Sequence, residues 1–336
     1  MAMKTLRDVF VETLREQGVE SLGTLSKRFR KSRDRIRDMA LAVFYDLGAI
    51  VELPEPTNVA WDLSGGVTEG SKYAYVPSCM VPRFRIVLDS DGLRARLPEW
   101  PYFIVDLMHW DKHTQTEKGK LCLQIVQAYS LVKSRFTGKE LAATWANAEF
   151  RDMIYMPLDR ITAYPGPTSE FLREKGIDEV VLLDPWAEET LSESDLNLRA
   201  FIIGGIVDTS GSKRRTTPRI GEALEEAGIT VRRRKITLRG DVMGVPDRIN
   251  RIIGILLRMM EGVPMDEAVY EFQEPRHAKW RLRRELPKRA FYIDVNGERR
   301  KAVSLSLLKE YEGWLKIREK DFVKVAKELN ILILDT

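Results

Sequence analysis

The stretch AFIIGGIVD, residues 200–208, decides the fold. Phe201, Ile202 and Ile203 form an apolar run, Gly204 and Gly205 interrupt it, and Ile206 and Val207 lead to Asp208. A short apolar run bounded by turn residues suits a strand covered on both faces, as in a parallel sheet. Glycine weakens such a strand, so its presence marks a close approach by another chain segment or a ligand. Asp208 then stands at the carboxyl end of a strand, where open α/β sheets bind their ligands. On these residues alone, a turn aspartate and a chemical one are both open.

Outward from this stretch, strands and helices alternate. YFIVDL (102–107), DMIYM (152–156), EVVLLD (179–184) and TVRRRKITL (230–238) are expected strands. Helices are expected over 117–136, near 168–176 with Thr168 or Ser169 as cap, over 216–228, over 247–262 with Asp247 at its start, and over 265–273. RGDVMGVPD (239–247) is a glycine-bearing loop. This alternation predicts an α/β domain over 99–275, with a largely parallel sheet and helices on both faces.

Two other regions flank it. Residues 1–98 are expected as a helical amino-terminal domain with a linker. Within 21–53, Leu22, Leu25, Phe29, Ile36, Met39, Ala40, Phe44 and Leu47 suggest two helices of a helix-turn-helix or winged-helix unit. Between those positions lie Lys27, Arg28, Arg30, Lys31, Arg33, Arg35 and Arg37, a basic face suited to nucleic acid or simply to solvent. The Pro- and Gly-rich stretch 54–100 reads as irregular or short-strand linker. Residues 276–336 read as a small basic α+β domain. It has an Asn296-Gly297 hairpin turn, a following helical stretch and a closing ILIL strand.

Composition removes several classes. The chain has 336 residues, 44% of them hydrophobic, and a net charge of +4, as for a globular protein of two or three domains. With two cysteines and three histidines (His109, His113, His277) and no ligand spacing among them, no metal is expected. No apolar run approaches a membrane span and no signal peptide opens the chain, so a cytoplasmic protein without membrane contact is expected. There is no GxGxxG after a strand, no GxxxxGK[ST] and no GxSxG, which argues against Rossmann enzymes, P-loop NTPases and α/β-hydrolases. The carboxylates at element ends are Asp106, Asp184, Asp208 and Asp247, each either a cap or a chemical group.

AFIIGGIVD, the helix and strand after it, and the glycine-bearing LRGDVMGVPDRINRIIGILL together resemble the tRNA position-9 N1-methyltransferase family of the SPOUT superfamily. IVDLMHW (104–110) and QIVQAYSLVKSRF (124–136) support the match, which covers about 100–275. LLDPW (182–186) and GVPDRIN (244–250) depart from many relatives and suggest an archaeal-type branch. The resemblance implies a SPOUT trefoil-knotted parallel sheet and S-adenosylmethionine as cofactor. Gly204 and Gly205 would then let the cofactor and a threaded loop approach the strand. Leu182, Leu183, Ile206, Val207, Leu238, Val242 and Val245 would surround adenine and ribose, and main-chain groups of Gly240, Asp241 and Met243 would fix the adenine edge. It further implies catalytic roles for Asp208, assisted by Asp247, with Asp106 orienting the site or capping its strand. The partner implied is tRNA. Candidate contacts are Arg30, Arg33, Arg37, Lys213, Arg214, Arg215, Arg232, Arg233, Arg234, Arg281 and Arg284, with the enzyme a monomer. Two other functions compete: a different SPOUT activity such as ribose 2′-O-methylation, and a non-enzymatic nucleic-acid-binding regulator. The absence of dimerisation heptads counts against the regulator.

Overall fold

A computed structural model describes residues 3–29, 31–208 and 216–335. The chain divides into two compact units, one built from residues 3–100 and 132–140, the other from 101–131 and 141 onward.

The first unit is α+β. Its helices are α1 (Leu6–Glu16), α2 (Arg35–Phe44) and α3 (Ser90–Arg94). Its strands are β1 (Ser21–Thr24), β2 (Gly48–Glu52), β3 (Val59–Asp62), β4 (Val67–Glu69), β5 (Tyr73–Pro77) and β6 (Arg85–Leu88), in the order β4-β3-β1-β5-β2-β6. A capping box starts α1: the Thr5 hydroxyl accepts from the Asp8 amide, and the Asp8 carboxylate accepts from the Thr5 amide. The expected helix pair is corrected here. Residues 21–24 form β1, hydrogen-bonded in register to β3 and β5, and only Lys27–Phe29 makes a single 3-10 turn. Sheet pairing overrides a helical period carried by too few residues. The stretch expected as linker supplies β3 to β6.

The main sheet of the second unit has, among the described residues, six parallel strands: β7 (Tyr102–Asp106), β8 (Leu141–Thr144), β9 (Thr162–Ala163), β10 (Glu179–Leu183), β11 (Ala200–Gly204) and β12 (Thr230–Arg234). Their order is β12-β10-β11-β7-β8-β9. The helices are α4 (Gln115–Val132), α5 (Ala148–Met153), α6 (Thr168–Glu174), α7 (Thr217–Glu226), α8 (Ile249–Met260) and α9 (Met265–Phe272). DMIYM is not a strand: Asn147 caps α5 across its start, accepting from the Phe150 amide at 2.9 Å, and LAAT supplies β8 instead. Central β7, β10 and β11 are buried on both faces, which explains their unbroken apolar runs. Ile220 and Leu224 of α7 pack on Leu182 and Ile202 in the core.

The same unit continues through α10 (Pro275–Arg289), β13 (Phe291–Val295), β14 (Glu298–Ser304), α11 (Leu307–Glu312), α12 (Glu319–Glu328) and β15 (Leu332–Leu334). Asn296 and Gly297 turn the β13–β14 hairpin with φ of 56° and 83°, the left-handed pair that a two-residue hairpin requires. β15 joins β14 in parallel.

At the sheet's centre, Gly204 lies opposite Asp106 in register, so β7 and β11 end level. The Gly205 amide donates to the Asp106 carbonyl at 2.8 Å, and a Cβ on Gly205 would sit 2.7 Å from that oxygen and 2.7 Å from Leu107 Cδ2. The visitor that requires glycine at 205 is therefore the end of β7. Gly205→Ala is expected to destabilise the fold by about 1–3 kcal/mol through overpacking. Thermal melting would show it as a midpoint several degrees lower, and an unchanged midpoint would contradict this account.

Candidate active site

All six strands run the same way, so β7, β11 and β12 present their carboxyl ends to one edge. Three segments leave that edge: 107–113 after β7, 205–208 after β11, and 235–248 after β12.

Asp106 closes β7 and is 3% exposed. Its Oδ1 accepts from the Met108 amide at 2.8 Å and its Oδ2 from the Thr168 hydroxyl at 2.5 Å, which also meets Thr144 Oγ1 at 2.5 Å. Burial pushes the Asp106 carboxyl above its ordinary value, with the Thr168 and Met108 hydrogen bonds pulling the other way. A carboxyl so enclosed has no face for a substrate. Of the two readings, chemical group and strand cap, the structure supports the support role. Thr168, expected as a helix cap, instead serves Asp106.

Asp208 is half-buried, just past the end of β11. The chain before it is clamped: the Val207 amide donates to His113 Nε2 at 3.0 Å. A backbone amide can only donate, so His113 Nε2 carries the lone pair and Nδ1 the proton, directed at the Trp110 carbonyl 3.2 Å away. His113 thus fixes the segment that presents Asp208. In the sequence the histidines argue only against a metal, although His113 follows a strand end and stands four residues after His109.

Asp247 lies before α8, whose start it does not cap. Its Oδ1 is 2.6 Å from Arg276 Nη2 and 3.1 Å from His277 Nε2. Burial opposes its charge, but the His277 hydrogen bond and the Arg276 and His277 charges prevail and hold the carboxyl below its ordinary value. It is an ionised anchor with an exposed side chain. Asp184 accepts from the Trp186 amide at 2.9 Å and serves its own turn.

The segment after β12 is bent by left-handed residues, Arg239 (φ 49°), Gly240 (φ 77°) and Gly244 (φ 96°). Leu238 and Asp241 exchange main-chain bonds of 2.8 and 3.2 Å, and Asp241 Oδ1 accepts from the Met243 amide at 2.9 Å. Gly240 faces open space and Val242 is 37% exposed, an apolar group on a loop rich in main-chain polar atoms. An adenosine moiety, with an apolar face and a polar edge, fits such a loop. Met243 and Val245 are partly exposed on the same loop. Leu182 and Leu238 are fully buried and Leu183 nearly so. Their side chains lie in the core at the base of this edge.

The basic residues divide unexpectedly. Arg30 and the cluster Lys213, Arg214 and Arg215 lie outside the described residues. Arg33 is exposed, whereas Arg37 donates to the Lys133 carbonyl at 3.0 Å and pairs with Asp38. Arg232 pairs with Glu179 at 2.7 Å, Arg233 with Glu225 at 2.9 Å, and Arg234 with Asp195 at 2.8 Å. Arg281 is 5% exposed and faces the 238–244 loop, and Arg284 is 3.3 Å from Asp241. Arg232–Arg234 and Arg281, expected as tRNA contacts, are all engaged by carboxylates or carbonyls of this chain.

A parallel sheet whose carboxyl edge carries a glycine-bent loop and a clamped aspartate is the layout of a SPOUT methyltransferase domain. Known proteins place it more narrowly. The family model described as tRNA (guanine(9)-/adenine(9)-N1)-methyltransferase N domain matches residues 7–96, and its C-domain counterpart matches 279–336. A tRNA (guanine(9)-/adenine(9)-N1)-methyltransferase of Thermococcus kodakarensis is 63% identical over 334 residues, spanning 99% of this chain and 90% of the relative. The solved structure of a dual-specific Trm10 from Thermococcus kodakaraensis is similar with a TM-score of 0.70 and 58% identity, covering 79% of this chain and 99% of that one. Sulfolobus acidocaldarius Trm10, solved in complex with S-adenosylhomocysteine, shares the fold at a TM-score of 0.66 and 22% identity, over 97% of this chain and 100% of that one. This chain belongs to the tRNA (guanine(9)-/adenine(9)-N1)-methyltransferase family, the Trm10 proteins.

The raised Asp106 carboxyl has a measurable consequence. Its folded value lies above its ordinary 3.8, so the folded state holds the proton longer than the unfolded one. Stability from this group is therefore lost as pH rises from the ordinary value through the raised one, and the cost persists above it. Asp106→Asn, compared with wild type in melts across pH, should gain relative stability over that window and then level off. A pH-independent difference would contradict the assignment.

Proposed function

We propose that this chain is an S-adenosylmethionine-dependent methyltransferase that modifies N1 of the purine at position 9 of tRNA, guanosine, adenosine or both, and that it works as a monomer. The observation that carries it is Asp208, half-buried at the carboxyl edge of the sheet on a segment clamped by His113. When bound, S-adenosylmethionine supplies the methyl group. The 238–245 loop would hold it through Val242, Val245 and the main chain of Gly240, Asp241 and Met243. We also propose that this loop is threaded as in a trefoil knot.

Asp208 is the chemical group. Guanine N1 carries a proton that must leave as the methyl bond forms, and a carboxylate can accept it, an effect typically worth about 10²–10⁴-fold. Adenine N1 already offers a lone pair and becomes positively charged, so the same carboxylate acts there by electrostatic stabilisation. Asp247, held ionised by Arg276 and His277, is a poor proton acceptor and acts as a fixed negative charge. Asp106 supports the strand end from below.

Position 9 lies within folded tRNA, and its base must be rotated out, which requires binding energy from elsewhere. Exposed Arg33 belongs to the surface proposed to supply it. Arg30 and Lys213–Arg215 are proposed on sequence alone.

Four tRNA transcripts differing only at nucleotide 9 would test this. Labelled methyl is expected in the guanosine version, the adenosine version or both, and in neither pyrimidine version; equal label in all four would move the target elsewhere. Asp208→Asn should cut guanosine turnover by about 10²–10⁴-fold and adenosine turnover less. Equal losses on both purines would exclude the proton-acceptor role.

A further inference from the structure

The carboxyl-terminal region was read from sequence as a tRNA grip, yet its most buried cation is turned inward. Arg281, on α10, is 5% exposed. Its Nη1 donates to two carbonyls of the loop after β12, Leu238 at 2.9 Å and Met243 at 3.1 Å. Glu285 lies 2.8 Å and Asp241 3.8 Å from the same guanidinium. A buried cation is costly unless carbonyls and carboxylates surround it, and here both do. At 5% exposure Arg281 offers little surface to a phosphate backbone.

The loop is built against this side chain. Gly244 has a φ of 96°, and a Cβ there would lie 3.0 Å from Arg281 Cβ. Gln273 Nε2 donates to the Gly244 carbonyl at 2.8 Å, and its Oε1 accepts from the Lys316 amide at 2.9 Å. Trp314 is flanked by Arg239 of the loop, 4.4 Å from its ring centroid, and by Arg281, 5.4 Å away. Arg239 has a left-handed backbone without being glycine, a conformation that persists only when its surroundings hold it. The Leu238 and Met243 carbonyls are thus bound by Arg281 of α10 and the Gly244 carbonyl by Gln273 just after α9, while Gly240 and Val242 remain exposed.

Resting on the cofactor site assigned above, we propose that Arg281 is a positioning residue for S-adenosylmethionine: it holds the 238–244 loop in its ligand-receiving shape and does not contact tRNA. The carboxyl-terminal region is then a structural part of the cofactor site. Losing a charged donor to two carbonyls removes enough interaction to weaken a ligand that depends on the loop by about tenfold or more.

The test uses the full chain as wild type, Arg281→Lys and Arg281→Met. Titration calorimetry measures S-adenosylhomocysteine affinity, filter binding measures tRNA affinity, and melting without ligand checks folding. Arg281→Met should bind S-adenosylhomocysteine about tenfold or more weakly, Arg281→Lys should recover part of the loss because an ammonium still reaches a carbonyl, and tRNA affinity should not change. Wild-type S-adenosylhomocysteine affinity in Arg281→Met overturns the proposal, as does loss of tRNA affinity alone. If Arg281→Met does not fold, Arg281→Lys decides: weaker S-adenosylhomocysteine binding supports the proposal and unchanged binding overturns it. A wild-type protein that binds no S-adenosylhomocysteine defeats the cofactor assignment itself, a result distinct from either.

Discussion

The 2.8 Å bond from the Gly205 amide to the Asp106 carbonyl is the constraint on which the site depends. It prolongs the β7–β11 pairing one step past the last strand residue, and it forms only because residue 205 has no side chain. Asp106 in turn is held from the side by Thr168 and from its own turn by Met108. Two residues beyond Gly205, His113 takes up the Val207 amide. The segment delivering Asp208 is therefore fixed at both ends of a very short span. A reacting carboxylate needs that kind of placement, since small errors in position cost large factors in rate.

The distribution of positive charge follows a different logic from the one composition suggests. Arginines in the three-residue run of β12 sit at the edge of a parallel sheet, where Glu179, Asp195, Glu189 and Glu225 meet them. Asp195 is fully buried. Burial opposes its charge, but hydrogen bonds led by that of Arg234 keep its carboxyl below the ordinary value. These pairs brace the outer strand next to the loop. A linear sequence shows charges of one sign in a row and hides the carboxylates that tertiary structure brings opposite them.

Much of the α/β domain was legible for a physical reason: strands buried on both faces write unbroken apolar runs, and the NG turn writes its own left-handed geometry. The amino-terminal region was not. β1 is four residues long and pairs with strands thirty or more residues away, so its local period resembled a helix. LAAT in β8 is small and short, and lay below any periodic signal. Gly204, Gly205 and Asp208 stood out in the site because the sequence broke its own pattern there. His113, Thr168, Gln273 and Arg281 act through contacts with groups distant in sequence, and nothing in their neighbours announces such contacts.

Three carboxylates near one sheet edge have been sorted by their surroundings, and the sorting limits the chemistry. Asp106 is enclosed, its charge disfavoured by burial and both its oxygens bonded. Asp247 is held ionised by a cation and a histidine, which strengthens it as a charge and weakens it as a base. Under the proposed function the proton acceptor for guanine N1 is Asp208, half-buried just past the end of β11. Divergent environments of this kind are how one fold separates supporting, electrostatic and proton-accepting roles among identical side chains. Under the proposed function, the same division would let a single site serve either purine. On that reading guanine requires a proton acceptor and adenine only negative charge beside a developing cation, and the half-buried Asp208 meets either need.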